Sequence, residues 1–397
     1  MYTVPTITIV ATLLNHIALA TSPRCDVDIG FDPLLVASQA QKLSTHSWEY
    51  GTLSQALLEL YSPDLTAYSH YAFPHGIIPK VPYQDVPSLD YAAQHIRLNT
   101  STLIDGDGAT GDPASLGVSA LLIGQTDPRY LVATQRQYDS LLAAPRWSNG
   151  AISHREESVE LWTDFIAMAP PFMAYYAAQQ QNLEIMREVV EQIALYRSVL
   201  QVQAGDMKGA WRHIMTQSPR GEREDLGVWS TGNAWVLLGM VRVLATIVYW
   251  GSTKGEVVMQ KRLMSWIGEI LAIAVQRAPR DGRGLLRNYW DDSTWFGEIS
   301  GSAGITAAIY RVAMLEGEMG WQREKVATPD MLKWADETRA AVAACVDENA
   351  IASPAVNPLG WGDREPYTKG SPEGQSFVVM MYAAWRDCCE SGVCRVK

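Results

Sequence analysis

From Ser115 onward the chain alternates between two kinds of helical segment. One kind is apolar on every face: Leu116 to Ile123, Ala234 to Tyr249, and Ala303 to Leu315, in which Arg311 is the only charge. The other kind is amphipathic. Leu183, Met186, Val189, Val190, Ile193, Ala194 and Leu200 recur at helical spacing, with Glu184, Arg187, Glu188, Glu191 and Arg197 between them. A helix with no polar face must be covered on all sides, whereas one with a wet face can lie outside it and do the covering. The pattern predicts two concentric helical layers.

The apolar segments start near Tyr50, Ser115, Asp164, Asn233, Gly301 and Glu373. Successive starts are roughly 50 to 75 residues apart, enough for a helical hairpin and its loops. Amphipathic partners follow at 128–144, 256–277 and 329–346. Strand signals are sparse. The expected fold is all-α: six helical hairpins closed into an (α/α)6 barrel, with the starting loops of the inner helices gathered at one end as a funnel.

Those starting loops share a composition rich in Trp, Asp, Glu, Gly and Ser. They include Ser47-Trp48-Glu49-Tyr50-Gly51, Leu161-Trp162-Thr163-Asp164, Trp229-Ser230-Thr231-Gly232-Asn233, Trp295-Phe296-Gly297-Glu298 and Ser371-Pro372-Glu373-Gly374. Aromatic faces beside hydrogen-bonding groups suit a sugar ring. Any single Trp could instead plug its loop into the core, but the shared bias makes Tyr50, Trp162 and Trp229 candidates for substrate binding.

The 397 residues are 47% hydrophobic and 19% charged, ample for a large core. A net charge of -11 disfavours nucleic acid, whose binding needs Lys and Arg to neutralise phosphates. Residues 1–20 are largely apolar and end in Ala18-Leu19-Ala20, the pattern of a secretory signal peptide, leaving 21–397 as one barrel domain. The longest apolar stretch elsewhere, Ala234 to Trp250, contains Arg242 and is short for a membrane span. Secretion also fits the N-glycosylation sequon Asn99-Thr100-Ser101 and the cysteine cluster Cys388, Cys389 and Cys394, which could carry a disulfide.

No phosphate loop, nucleophile elbow or His-Glu-x-x-His metal helix occurs. Asp105-Gly106-Asp107-Gly108 fails as a calcium loop and reads as a turn. What remains is a pair of carboxylates, Asp112 and Asp164, each at the start of an apolar helix. An Asp held in an apolar run finds partners or raises its pKa, and a raised pKa makes a general acid. Helix capping is the alternative for both, with Pro113 marking a first turn.

The run Leu161 to Phe172, Asp112-Pro113-Ala114-Ser115-Leu116-Gly117, Trp229 to Trp235 and Ser371-Pro372-Glu373-Gly374-Gln375 together resemble unsaturated rhamnogalacturonyl hydrolases, glycoside hydrolase family 105. Trp211-Arg212-His213 and Glu298-Ile299-Ser300-Gly301-Ser302 fit the same pattern, so the resemblance spans about Ser47 to Trp385. It implies a six-hairpin barrel that hydrates the 4,5-double bond of a terminal uronic acid left by a pectin lyase. Matched position by position, it implies Asp164 as the acid/base, Asp112 as the second Asp, His213 as a sugar-contacting His, and Trp229, Asn233 and Trp235 as pocket residues. His154 is a further pocket candidate, with a structural histidine as its alternative. No metal or cofactor is implied, an oligosaccharide is the expected partner, and a monomer is expected. One departure stands out: Thr231 occupies the place where the family carries an Arg in Trp-x-Arg-Gly-Asn-x-Trp. It keeps open a non-catalytic sugar-binding relative, and a hydrolase of saturated glycosidic bonds is a third reading. Arg155, Arg212, Arg287 and Lys369 are candidates to supply the missing charge.

Overall fold

Helices without a wet face lie innermost. The computed structural model describes residues 27–217, 223–320, 325–357 and 359–394; the expected signal segment lies outside them. Outer and inner helices alternate along the chain: α1 (Pro33–Leu43) and α2 (Ser47–Tyr61); α3 (Pro87–His95) and α4 (Gly117–Gly124), the latter continuing a 3-10 turn over Asp112–Leu116. Next come α5 (Pro128–Ala143) with α6 (Phe165–Met168) and α7 (Pro170–Gln179), then α8 (Leu183–Leu200) with α9 (Ser230–Tyr249). The last pairs are α10 (Val257–Gln276) with α11 (Ile299–Glu318), and α12 (Pro329–Ala343) with α13 (Pro372–Glu390).

The inner members α2, α4, α6/α7, α9, α11 and α13 each pack on the next, and α13 returns to α2, closing the ring. This is the all-α, six-hairpin barrel that the alternation predicts. α9 is buried continuously from Ser230 to Val241, whereas α8 leaves Glu184, Arg187 and Glu191 exposed. α9 is also long and apolar enough to cross a membrane, yet 89% of its most apolar window is buried inside the barrel.

Close approach between inner helices requires glycine at two points. A Cβ on Gly51 would lie 1.9 Å from Ser115 Oγ, and one on Gly239 would lie 2.0 Å from the Ile166 carbonyl oxygen. Adjacent prolines divide α6 from α7: Pro170 and Pro171 lack the N–H groups that would continue the helix. Away from the funnel, Arg311 of α11 ties three inner positions together. It pairs with Glu59 of α2 at 2.8 Å and Asp387 of α13 at 2.6 Å, and its guanidinium lies over the Tyr68 ring. A disulfide joins Cys388, in the last turn of α13, to Cys394 beyond the helix.

Candidate active site

Two three-residue strands, β1 (Glu160–Trp162) and β2 (Ile214–Thr216), pair antiparallel with Trp162 opposite Ile214. They clip the loop before α6 to the loop before α9. Immediately beyond them the Thr163 N–H donates to the His213 carbonyl at 3.0 Å, which sets Asp164 beside His213. The local sequence thus brings together two residues 49 positions apart.

Asp164 is not a helix cap. It stands at the cap position of α6 with no side-chain hydrogen bond to the helix N–H groups. Its Oδ2 accepts from Thr163 Oγ1 at 3.1 Å and lies 3.5 Å from His213 Nε2. On the other side of the imidazole, His213 Nδ1 is 2.9 Å from Asp225 Oδ2, which also accepts the Tyr289 hydroxyl. Burial opposes charging of His213, but the adjacent Asp164 and Asp225 carboxylates, the latter hydrogen-bonded to it, outweigh burial, and its pKa is raised. Burial likewise pushes Asp164 up, yet the close His213 ring prevails and holds its pKa below the ordinary value. Of the two outcomes open to an Asp in an apolar run, partners or a raised pKa, Asp164 shows the first.

Asp112 is the carboxyl group that keeps a proton. It is 8% exposed and has no cation at ion-pair distance except the weakly basic His154, 3.6 Å away. Burial first, and the Asp164 charge second, push Asp112 up to about 8. His154 is forced down to about 3, chiefly by burial, so it is a neutral ring. The paired carboxyls therefore divide: one neutral, one ionised, as a buried pair of acids must when only one of them has a counterion.

Both acids line a cavity of about 280 Å³ at the funnel end. Trp162, Trp229, His154 and Arg155 line it with them, as do His46, Trp48, Asp107, Met168, Leu359 and Glu373. The Trp162 indole donates to Glu160 at 2.8 Å, and the Trp229 indole donates to Asn288 at 2.9 Å, so both aromatic walls are fixed. Trp361 meets Trp162 and His213 edge-on, at 5.4 and 5.3 Å between ring centroids. A nearly closed void of about 10 Å³ lies deeper in the barrel, sharing Met168 with the cavity and lined also by Arg242.

Several sequence-predicted residues stand elsewhere. Asn233 is fully buried and clips backbone: its Oδ1 accepts the Trp211 N–H, and its amide donates to the Trp211 and Trp229 carbonyls. Trp235 packs on Phe377 at 4.4 Å in the barrel core and borders the deeper void, not the cavity. Tyr50 stacks on His95 at 3.8 Å, outside the cavity lining. His213 is 1% exposed and sits behind Asp164, so it positions that carboxylate rather than forming cavity wall. Of the four candidate cations only Arg155 lines the cavity; Arg212 borders a separate surface groove.

Thr231 does not reach the cavity either. It is fully buried and donates to Glu298 Oε1 at 3.1 Å, alongside the Ser300 and Gly301 N–H groups. Burial lifts Glu298 to about 7 against those hydrogen bonds. Glu373, noticed in the sequence only as part of a motif, is 2% exposed, and its Oε1 has no hydrogen-bond partner. Its place in the first turn of α13 favours the anion by roughly 0.3–1 kcal/mol. Burying an unpaired carboxylate costs several kcal/mol. Desolvation wins, reinforced by Asp164, Glu298 and Glu49, and Glu373 is pushed well above the ordinary carboxylate range.

Residues 84–339 match the sequence model of the family described as Glycosyl Hydrolase Family 88. The chain belongs to glycosyl hydrolase family 88. No curated protein of similar sequence matches it. Among solved structures, a possible family-105 member from Salmonella enterica serovar Paratyphi A is similar over 95% of this chain and 99% of its own, at 15% identity and a TM-score of 0.69. An unsaturated glucuronyl hydrolase specific for heparin is similar over 90% and 96%, at 11% identity and a TM-score of 0.62. An α-1,6-mannanase from Salegentibacter covers 91% and 100%, at 11% identity and a TM-score of 0.58. The family-105 resemblance read from the sequence is borne out, and the family-88 protein is a glycoside hydrolase with the six-hairpin fold. At these identities the structural likeness carries the fold alone, and the fold is shared with a mannanase, so the chemistry must be argued from the site.

Proposed function

We propose that this glycoside hydrolase removes a terminal 4,5-unsaturated uronic acid from pectin-derived rhamnogalacturonan oligosaccharides by hydrating its vinyl ether. The observation that carries the reading is the divided pair, neutral Asp112 and ionised Asp164, facing one aromatic-walled cavity. In this reading Asp112 delivers its proton to C4, and positive charge develops at C5, shared with the ring oxygen. Asp164, oriented by His213, takes a proton from the water that adds at C5. The hemiketal opens to a C5 ketone, and the hemiacetal left at C1 collapses to an aldehyde and expels the sugar. The proton then returns from Asp164 to Asp112 through water. The sequence resemblance would make Asp164 the proton donor; the resting charge distribution gives that duty to Asp112 and the base duty to Asp164.

Turnover in heavy water tests this. Vinyl-ether hydration places one deuterium on C4 of the uronic product, whereas hydrolysis of a saturated bond forms no carbon–deuterium bond. A product free of deuterium at C4 would sink the reading. A binding-only relative is the second reading, favoured by Thr231, and intact oligosaccharide bound without product would support it. An extracellular monomer is the proposed setting. The exposed sequon at Asn99 and the Cys388–Cys394 disulfide support secretion.

A further inference from the structure

We propose that Glu373 is a substrate-contacting residue of this site, whose carboxyl group donates a hydrogen bond to the C6 carboxylate of the terminal uronyl group. The inference rests on the uronyl-hydrolase reading and names the group that recognises the acid. Glu373 lines the same cavity as Asp112 and Asp164, and its Oε1 is buried without a partner. Such an atom is costly unless a ligand completes it.

Among the described residues no cation pairs with Glu373, and the Trp48 side chain, which favours its anion, does not offset burial. α2 presents Glu49, the head of α11 presents Glu298, and Asp164 faces it across the cavity. α1, also packed on α13, buries only Val36, Ala37 and Ala40. Among the cavity residues Asp107 and Asp112 are further acids, and His154 is neutral. The charge on His213 is already committed to Asp164 and Asp225. Arg155 and His46 line the cavity, but neither forms an ion pair with Glu373 within 4 Å. Glu373 therefore presents an O–H donor, and a substrate carboxylate is the complementary acceptor.

The test compares wild type, Glu373→Gln and Glu373→Leu with an unsaturated uronyl disaccharide, reading kcat, KM and a calorimetric Kd between about pH 6 and pH 9. Glu373→Leu should raise KM and Kd about 10- to 100-fold with a smaller change in kcat. Glu373→Gln, whose amide also donates, should stay within about fivefold of wild type. Equal impairment of both folded variants, or a Leu variant that binds as tightly as wild type, would overturn the proposal. If wild type binds the disaccharide in a Glu373-dependent way but never turns it over, the hydrolase reading fails and the contact stands.

Discussion

Replacing Asp112 with Asn is expected to abolish turnover and stabilise the fold at the same time. The Asp112 carboxyl is held near 8 in the folded protein, against an ordinary value of 3.8. Below about pH 4 both folded and unfolded chains carry the proton, and the carboxyl adds no pH-dependent cost. Between the two pKa values the folded state keeps a proton that the unfolded chain has released. Stability then falls by about 1.4 kcal/mol per pH unit, reaching about 4 kcal/mol at pH 7 and levelling off above about pH 8. Asn escapes this penalty but buries an amide with few partners, at about 1–3 kcal/mol. The net gain at pH 7 is about 2 kcal/mol, seen as a Tm rise of a few degrees. Thermal denaturation of both proteins across about pH 4 to pH 9 reads the effect directly. The advantage of Asn should appear above about pH 5, grow with pH up to about 8 and turn into a deficit of about 1–3 kcal/mol near pH 4, while kcat falls about 10²–10⁴-fold. An Asn variant that is equally destabilised at every pH would show that Asp112 is ionised and paired, and would refute the division of roles between the two acids.

Asp164→Asn should also cost about 10²–10⁴-fold in kcat, with circular dichroism unchanged and Tm lowered by the loss of its pairing with His213. His213→Gln removes the counterion that holds Asp164 down, so the acidic limb of the pH–kcat/KM profile should move to higher pH. Because His213 has a raised pKa, its stabilisation is complete below about pH 6.5 and is lost as pH rises through the folded value. The His213→Gln variant should therefore lose more Tm at about pH 6 than at about pH 9. Arg311→Met leaves Glu59 buried without its ion-pair partner, while Asp387 keeps Arg386, and should cost about 3 kcal/mol in denaturant titration without altering KM.

The barrel was legible in the sequence because inner helices such as α4, α9 and α11 are apolar on nearly all faces and outer ones such as α8 on a single face. Arg311 looked anomalous in that pattern, and three-dimensional pairing with Glu59 and Asp387 accounts for it. Asp112 and Asp164 were legible as carboxylates at helix starts. Their protonation was not, since it depends on His213, which backbone pairing between two loops brings to Asp164. Motif resemblance also could not tell a wall from a clip. Asn233 and Trp235 lie in the same seven-residue element as Trp229, yet only Trp229 faces the cavity. Glu373 carried no local signal beyond its motif, because its unusual environment is assembled from α2, α6, α11 and α13.

The central claim is that this divided pair of acids hydrates an unsaturated uronide. Its most direct test is to incubate the folded protein with a panel of unsaturated uronyl oligosaccharides, led by the rhamnogalacturonan disaccharide, while following the ultraviolet absorbance of the double bond. The account predicts loss of absorbance with wild type and none with Asp164→Asn. Absorbance that persists across the whole panel with folded wild-type protein would contradict it.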